Sequence, residues 1–257
     1  MLSVLLFAGL TNPSLTSSSI SYLWSLGFGT VTAESIIQFG GWADNEAAPG
    51  ALLLIVLISN SPQLILSFLY LTYNGLFTSM LLAKEWSVFA HHRKTLRVTS
   101  PKGQQRSTYW LQLPYRYSIP LAATSSLLHW LVSQSIFLAR ITTVDPTGVE
   151  DTYDSISTCG YSNIAIIFVI GFGSTLPLIA IAHGFRRYPS GIPFAANCSA
   201  AISSACHPPE ADTDAASKPL QWGVTGEVVE YSADRRLGHC SLTSLEVTAP
   251  VEGQLYA

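Results

Sequence analysis

Charge is scarce in this sequence. Its 13 Lys and Arg and 16 Asp and Glu make 11% of 257 residues, where a soluble domain carries about 25%. With 48% hydrophobic residues, too few charges remain to cover a water-facing surface. The net charge of −3 excludes the basic balance of a nucleic-acid binder and the acidity of a solvating tail protein. Four cysteines are too few and too scattered for a disulfide framework. Soluble-enzyme signatures are missing as well. There is no phosphate loop, no HExxH and no G-x-S-x-G, and Gly27-Phe28-Gly29 lacks the third glycine of a dinucleotide fingerprint. What remains is a membrane protein with polar extensions, no enzymatic signature and no cofactor.

The basic residues are absent from one region and crowded in the next. No Lys or Arg precedes Lys84, although Glu34, Asp44 and Glu46 do. Residues 84–117 then hold Lys84, Arg93, Lys94, Arg97, Lys102, Arg106 and Arg116 against Glu85 alone. Residues 141–161 carry four acids, Asp145, Glu150, Asp151 and Asp154, and no base, and Arg186-Arg187 follow the next apolar run. Basic and non-basic loops alternating between apolar runs form the positive-inside pattern.

Three runs fit as spans. Residues 51–83 are 33 without a charge, about 50 Å as a helix against a hydrocarbon core of about 30 Å. Asn60-Ser61-Pro62 offers a break, with Ser61 as a cap and Pro62 at a first helical position, yet a turn inside lipid would strand backbone groups. One kinked helix is therefore expected. The second run covers residues 120–140 and the third 162–183, each close to the 20 residues a crossing needs. Trp86, Tyr109, Trp110, Tyr115, Tyr117, Tyr161 and Tyr188 frame the boundaries, as interfacial aromatics do. The expected fold is all-α: three transmembrane helices over 51–184, an outward-facing segment 1–50 and a cytosolic, mostly disordered tail 185–257. Residues 1–10 resemble the apolar part of a signal peptide but lack a preceding base. A chain that begins in an uncharged apolar segment reads as a shortened form of a longer one.

Polar residues inside the spans fall on two faces. Ser67, Asn74 and Thr78 are spaced seven and four apart, and Ser126, His129 and Ser133 form a similar face in the second span. Such faces should look into a bundle, either as packing through small residues with polar groups as glue or as a pathway through Asn74 and His129. In the third span two pairs of small residues, Gly171 with Thr175 and Ala180 with Gly184, are each four apart. Trp130, far from an interface, is expected to meet protein. A bis-histidine site of His129 with His183 is disfavoured by their different depths.

The loop residues Lys84, Arg93, Lys94, Arg97, Lys102 and Arg106 have a topogenic role, fixing the span, and a functional one, contact with anionic headgroups of the inner leaflet. Ser100-Pro101 within the loop is a weak phosphorylation signal that would oppose such contact. In the tail, Cys198, Cys206, His207, His239 and Cys240 lack the short ligand pairs of a zinc site, so no metal is expected. They read as reduced thiols, with Cys198 open to lipidation. Asn197-Cys198-Ser199 matches a glycosylation sequon that a cytosolic tail leaves unmodified.

Several stretches carry a resemblance: Asn60-Ser-Pro-Gln-Leu-Ile-Leu-Ser-Phe-Leu-Tyr70, Glu85-Trp86, Gln105-Arg-Ser-Thr-Tyr109, Leu113-Pro-Tyr-Arg-Tyr117, His129-Trp-Leu-Val-Ser-Gln-Ser-Ile-Phe137 and Cys198-Ser-Ala-Ala-Ile-Ser-Ser-Ala-Cys206-His207-Pro208-Pro209. On these the chain resembles the carboxyl-terminal half of uncharacterised multi-pass membrane proteins of filamentous fungi, whose longer members carry an amino-terminal domain of unknown function. The resemblance implies membrane residence and a further amino-terminal portion; it supplies no activity, substrate or catalytic residue. The functional expectation is a structural or signalling membrane scaffold in a plasma membrane or endomembrane. The alternative is a component of an oligomeric transporter or channel, because three spans rarely enclose a pathway without self-association or a partner membrane protein.

Overall fold

The computed structural model describes residues 2–12, 15–32, 35–37, 51–144, 148, 150–195, 197–232 and 235–256. Glu34, Asp44, Glu46 and Asp145, which contribute to the expected charge pattern, lie outside the described residues. The chain forms two compact units, one of Met1–Thr72 with Pro120–Gly184 and one of Tyr73–Ile119 with Phe185–Ala257.

The residues 51–83 expected as a kinked span belong to one helix, α3 (Ala51–Val88), of 38 residues and about 57 Å. Pro62 sits inside it and cannot donate to the Ile58 carbonyl. The Ser61 hydroxyl takes over that carbonyl at 2.9 Å, and Asn60 Nδ2 donates to the Val56 carbonyl at 2.8 Å. Ser61 thus bridges the gap inside one continuous helix, the arrangement expected in preference to a cap that opens a new one. A second long apolar helix is α5 (Asn163–Gly184). These two are the described helices long and apolar enough to cross a membrane. Leu52, Leu57, Leu64, Phe68 and Leu69 on α3 and Leu178 and Ile181 on α5 face outward, unlike the side chains of a core helix in water.

The run expected as a span over 120–140 is a helix followed by a strand. α4 covers Tyr115–Ser135, and the chain continues as β4 (Ile136–Val144) paired antiparallel with β5 (Glu150–Tyr161). Against the other edge of β5 lies β1 (Ile36–Ile37), giving the order β1-β5-β4. Ile136, Ile141, Thr142, Thr143 and Val144 are β-branched and favour the pleated sheet. The apolar run 136–139 extends the hydropathy of α4, and only its partner strand decides that it leaves the helix. Gly160 leaves room for the Phe137 ring in this hairpin, since a Cβ there would force the ring to shift. The same unit contains α1 (Leu2–Leu10) and α2 (Ile20–Ser25). α1 lies close enough to α5 that a Cβ on Gly9 would collide with Asn163 and Tyr161.

The second unit overturns the expectation of a disordered tail, and with the first sheet it overturns an all-α fold. Its elements are the last turns of α3, the short parallel pair β2 (Arg97–Val98) and β3 (Arg106–Ser107), α6 (Ser199–Ala205), a 3-10 turn at Ala215–Ser217, and the antiparallel hairpin of β6 (Gln221–Ser232) and β7 (Arg235–Thr243). An isolated two-stranded hairpin is marginal in water, so this one needs a partner. Leu220, Trp222, Cys240 and Leu242 supply one face, and Phe89 at the end of α3 joins them in a buried core. The Trp222 N–H donates to the Phe89 carbonyl at 2.9 Å, and Lys94 and Leu220 exchange two backbone hydrogen bonds of 2.8 Å. Trp86 Nε1 donates to the Pro193 carbonyl at 3.0 Å. These partners are over a hundred residues apart in sequence, which no local periodicity can reveal.

Asp212 fastens the hairpin. Only 4% of it is exposed, and its carboxylate accepts from Thr243 Oγ1, the Ser244 N–H and Ser244 Oγ, each at 2.6 Å. Burial alone would push this carboxyl up; the hydrogen bonds from Ser244 and Thr243, with Lys218 nearby, overcome it and hold it below its ordinary value near 3.8. A carboxyl whose folded value is depressed contributes its full stability above the ordinary value and loses it as pH falls through the folded one. Asp212→Asn is expected to cost about 2 kcal/mol at neutral pH and to remove part of the acid sensitivity of this unit. Thermal unfolding of the purified chain and the variant from neutral pH to pH about 3 checks both; parallel curves would contradict the assignment.

Candidate anionic-ligand site

Four of the six basic residues singled out in the loop meet in one cleft of about 550 Å³, whose lining belongs wholly to the second unit. The last turns of α3 bring Thr78, Leu81, Leu82, Glu85 and Val88 to it, at spacings that keep them on one helical face. Lys84 joins them, and Lys94 follows after the chain turns at His91 and His92, whose N–H groups bond the Val88 carbonyl. Pairing of β2 with β3 places Arg97 directly opposite Arg106. Tyr109, Gln112 and Arg116 complete the wall.

Two guanidinium groups side by side repel one another, and Glu85 relieves this. Its Oε1 lies 3.0 Å from Arg97 Nε and 3.6 Å from Arg106 Nη2. Arg97 is fixed further by the Tyr109 hydroxyl at 2.7 Å, by the Ser107 carbonyl at 3.3 Å and by its position 4.2 Å over the Tyr109 ring. Arg106 donates to the Thr95 carbonyl at 3.0 Å. Its Nε is enclosed without a partner. Among the described residues Lys84, Lys94 and Arg116 take part in no ion pair. The cleft therefore combines an ordered cationic floor with cations around it that take part in no ion pair, Arg116 resting 4.7 Å over the Tyr117 ring, an arrangement suited to binding an anion by charge-assisted hydrogen bonds.

Arg93 and Lys102 lie elsewhere. The Arg93 guanidinium donates to the Ser244 and Leu245 carbonyls, to the latter at 2.6 Å, so it braces the carboxyl-terminal hairpin. Lys102 is exposed in a turn whose backbone N–H bonds Gln105 Oε1 at 2.8 Å. Sequence reasoning left Arg116 and Tyr109 out of the site. Arg116 carried a signal, as it belongs to the same basic stretch; Tyr109 looked like a boundary aromatic.

The polar faces of the helices do not converge into a site. Ser67 bonds the Gln63 carbonyl, Thr78 the Asn74 carbonyl, Ser126 the Ala122 carbonyl and Ser133 the Trp130 carbonyl. Each hydroxyl is spent on its own helix. His129 instead reaches α3, its Nδ1 lying 2.6 Å from Gln63 Oε1 while Gln63 Nε2 donates to the His129 carbonyl at 3.0 Å. A carbonyl oxygen only accepts, so Nδ1 carries the proton. Gln63 was not singled out from sequence. Trp130 does meet protein, stacking on Phe28 at 5.9 Å between ring centroids. Among the described residues no neighbouring atom comes within 4 Å of a Cβ built on Gly171, so packing through that residue is not seen there. Among the described residues no three His, Cys, Asp or Glu side chains are grouped to hold a metal, and burial pushes the Cys240 thiol up.

Gln63→Ala is expected to lower stability by about 1 kcal/mol, the scale of a net intramolecular hydrogen bond. His129→Ala should add little on that background. A double-mutant cycle on the melting of the detergent-solubilised chain measures the coupling, and additive losses would mean the two side chains act separately.

No curated protein and no solved structure is significantly similar to the chain. A family model described as a domain of unknown function (DUF8419) matches residues 2–256, and the chain belongs to that family.

Proposed function

We propose that this chain is a three-span integral membrane protein, amino terminus outside and carboxyl-terminal unit in the cytosol, that serves as a structural or signalling scaffold holding anionic headgroups of the inner leaflet. The observation that carries the functional part is the cleft, where five cations face one carboxylate next to the end of the apolar part of α3.

Contacts within each unit support three crossings. In the first, the Ser162 N–H donates to the Ser135 carbonyl at 3.1 Å, joining the end of α4 to the start of α5. Cys159 Sγ lies 3.8 Å from the carbonyl of Ile55, near the start of α3. In the second, Tyr188, just after α5, bonds the Met80 carbonyl at 3.0 Å near the end of α3, and Arg116 at the start of α4 lines the same cleft as Lys84. Within the first unit the end of α4 thus lies by the start of α5, and within the second the end of α3 lies by the start of α4, as three crossings would need. α4 is the most polar of the three, and its Gln63–His129 pairing gives one of its polar groups a partner. The basic residues of 84–117 and Arg186-Arg187 support a cytosolic side for the second unit. The transport alternative draws no comparable support, because the hydroxyls on the polar faces are committed to their own helices.

Protease applied to sealed membranes from the cytosolic side is expected to remove a carboxyl-terminal tag; a protected tag would reject the orientation. For the ligand, the full chain in phosphatidylcholine nanodiscs is expected to melt at a higher temperature once phosphatidylserine is included, and high salt should shrink the gain. An unchanged melting temperature would remove the headgroup reading.

A further inference from the structure

The cleft has features that a merely anionic surface would not need. Diffuse attraction to a charged leaflet acts on exposed side chains at the membrane plane, whereas here Arg97 is locked in place from three sides. Arg106 keeps an enclosed Nε without a partner. The volume of about 550 Å³ falls within the range of small-molecule sites. Five cations against the single carboxylate of Glu85 leave an excess of four positive charges on the lining, more than a singly charged headgroup neutralises.

The rim indicates where such a polyanion comes from. Trp110 follows Tyr109 and is 87% exposed, with exposed Leu111 beside it. Gln112 ends this tip in the left-handed region at φ 63, a conformation a non-glycine residue adopts only at a cost. Trp favours the level of lipid headgroups. On the other wall, Thr78, Leu81 and Leu82 continue the apolar surface of α3 into the cleft, a path for acyl chains but of no use to a soluble ion.

We infer that the cleft is a stoichiometric site for a lipid with a multiply phosphorylated headgroup, its phosphates on Arg97, Arg106, Lys94 and Arg116 and its acyl chains along Leu81 and Leu82, with Trp110 anchored in the interface beside it. This rests on the headgroup reading above and adds selectivity to it.

Native mass spectrometry of the detergent-solubilised full chain, titrated with short-chain phosphatidylinositol bisphosphate, short-chain phosphatidylserine and free inositol trisphosphate, separates the cases. One bisphosphate lipid per chain is expected, held about tenfold more tightly than phosphatidylserine. The double variant Lys94→Gln, Arg116→Gln breaks no ion pair and gives up only the exposed Arg116 contact on the Tyr117 ring, so it should lose about tenfold for the bisphosphate lipid while still melting cooperatively as a folded chain. Trp110→Ala should weaken the lipid and leave inositol trisphosphate unchanged. Equal affinity for the two lipids, or an undisturbed double variant, would overturn the selective site; phosphatidylserine stabilisation in nanodiscs could still hold, so the two readings fail separately. Inositol trisphosphate binding as tightly as the lipid would overturn the lipid assignment in favour of a soluble polyphosphate.

Discussion

Proline at position 62 withdraws the donor that would bond the Ile58 carbonyl, and in an apolar segment that carbonyl must find another partner. The Ser61 hydroxyl provides it. Everything later in the chain depends on α3 running unbroken through this point. The helix that exposes Leu64 and Phe68 is the same one that brings Leu81, Leu82 and Glu85 to the cleft and Trp86 and Phe89 to the second core.

The end of α3 organises the second unit. Phe89 gives the β6–β7 hairpin the apolar partner it needs, Lys94 pairs with Leu220, and Glu85 holds Arg97 beside Arg106. Core and cleft are thus two sides of one construction. Asp212 closes the core side with hydrogen bonds to a buried carboxylate, and Arg93 is drawn away to the hairpin carbonyls. Basic residues adjacent in sequence, Arg93 and Lys94, end up with different tasks because their backbone neighbours differ.

Much of the helical organisation was legible in the chain. The 33 uncharged residues from 51 to 83 announced α3, the run after Ser162 announced α5, and the basic stretch announced where the cations of the cleft would be found. The second apolar run was misread beyond Ser135, because hydropathy does not distinguish a helix from a strand when the residues are Ile, Phe and Leu. The tail was misread for a related reason. Its Ala- and Ser-rich stretches carry no sustained periodicity, and its core is completed by Phe89, far back in sequence.

By itself, then, the sequence determined what depends on composition and local spacing: two helices too long and apolar for an ordinary soluble surface, and a concentration of positive charge at one end of the first. Only the tertiary structure decided which cations face one another, since Arg97 and Arg106 meet through strand pairing and Arg116 arrives from the next helix. It also decided that Gln63 and His129 are partners and that the tail folds. The physical reason is the same in each case. Hydrogen bonds and cores join residues that share a place in space, and their separation along the chain leaves no local trace.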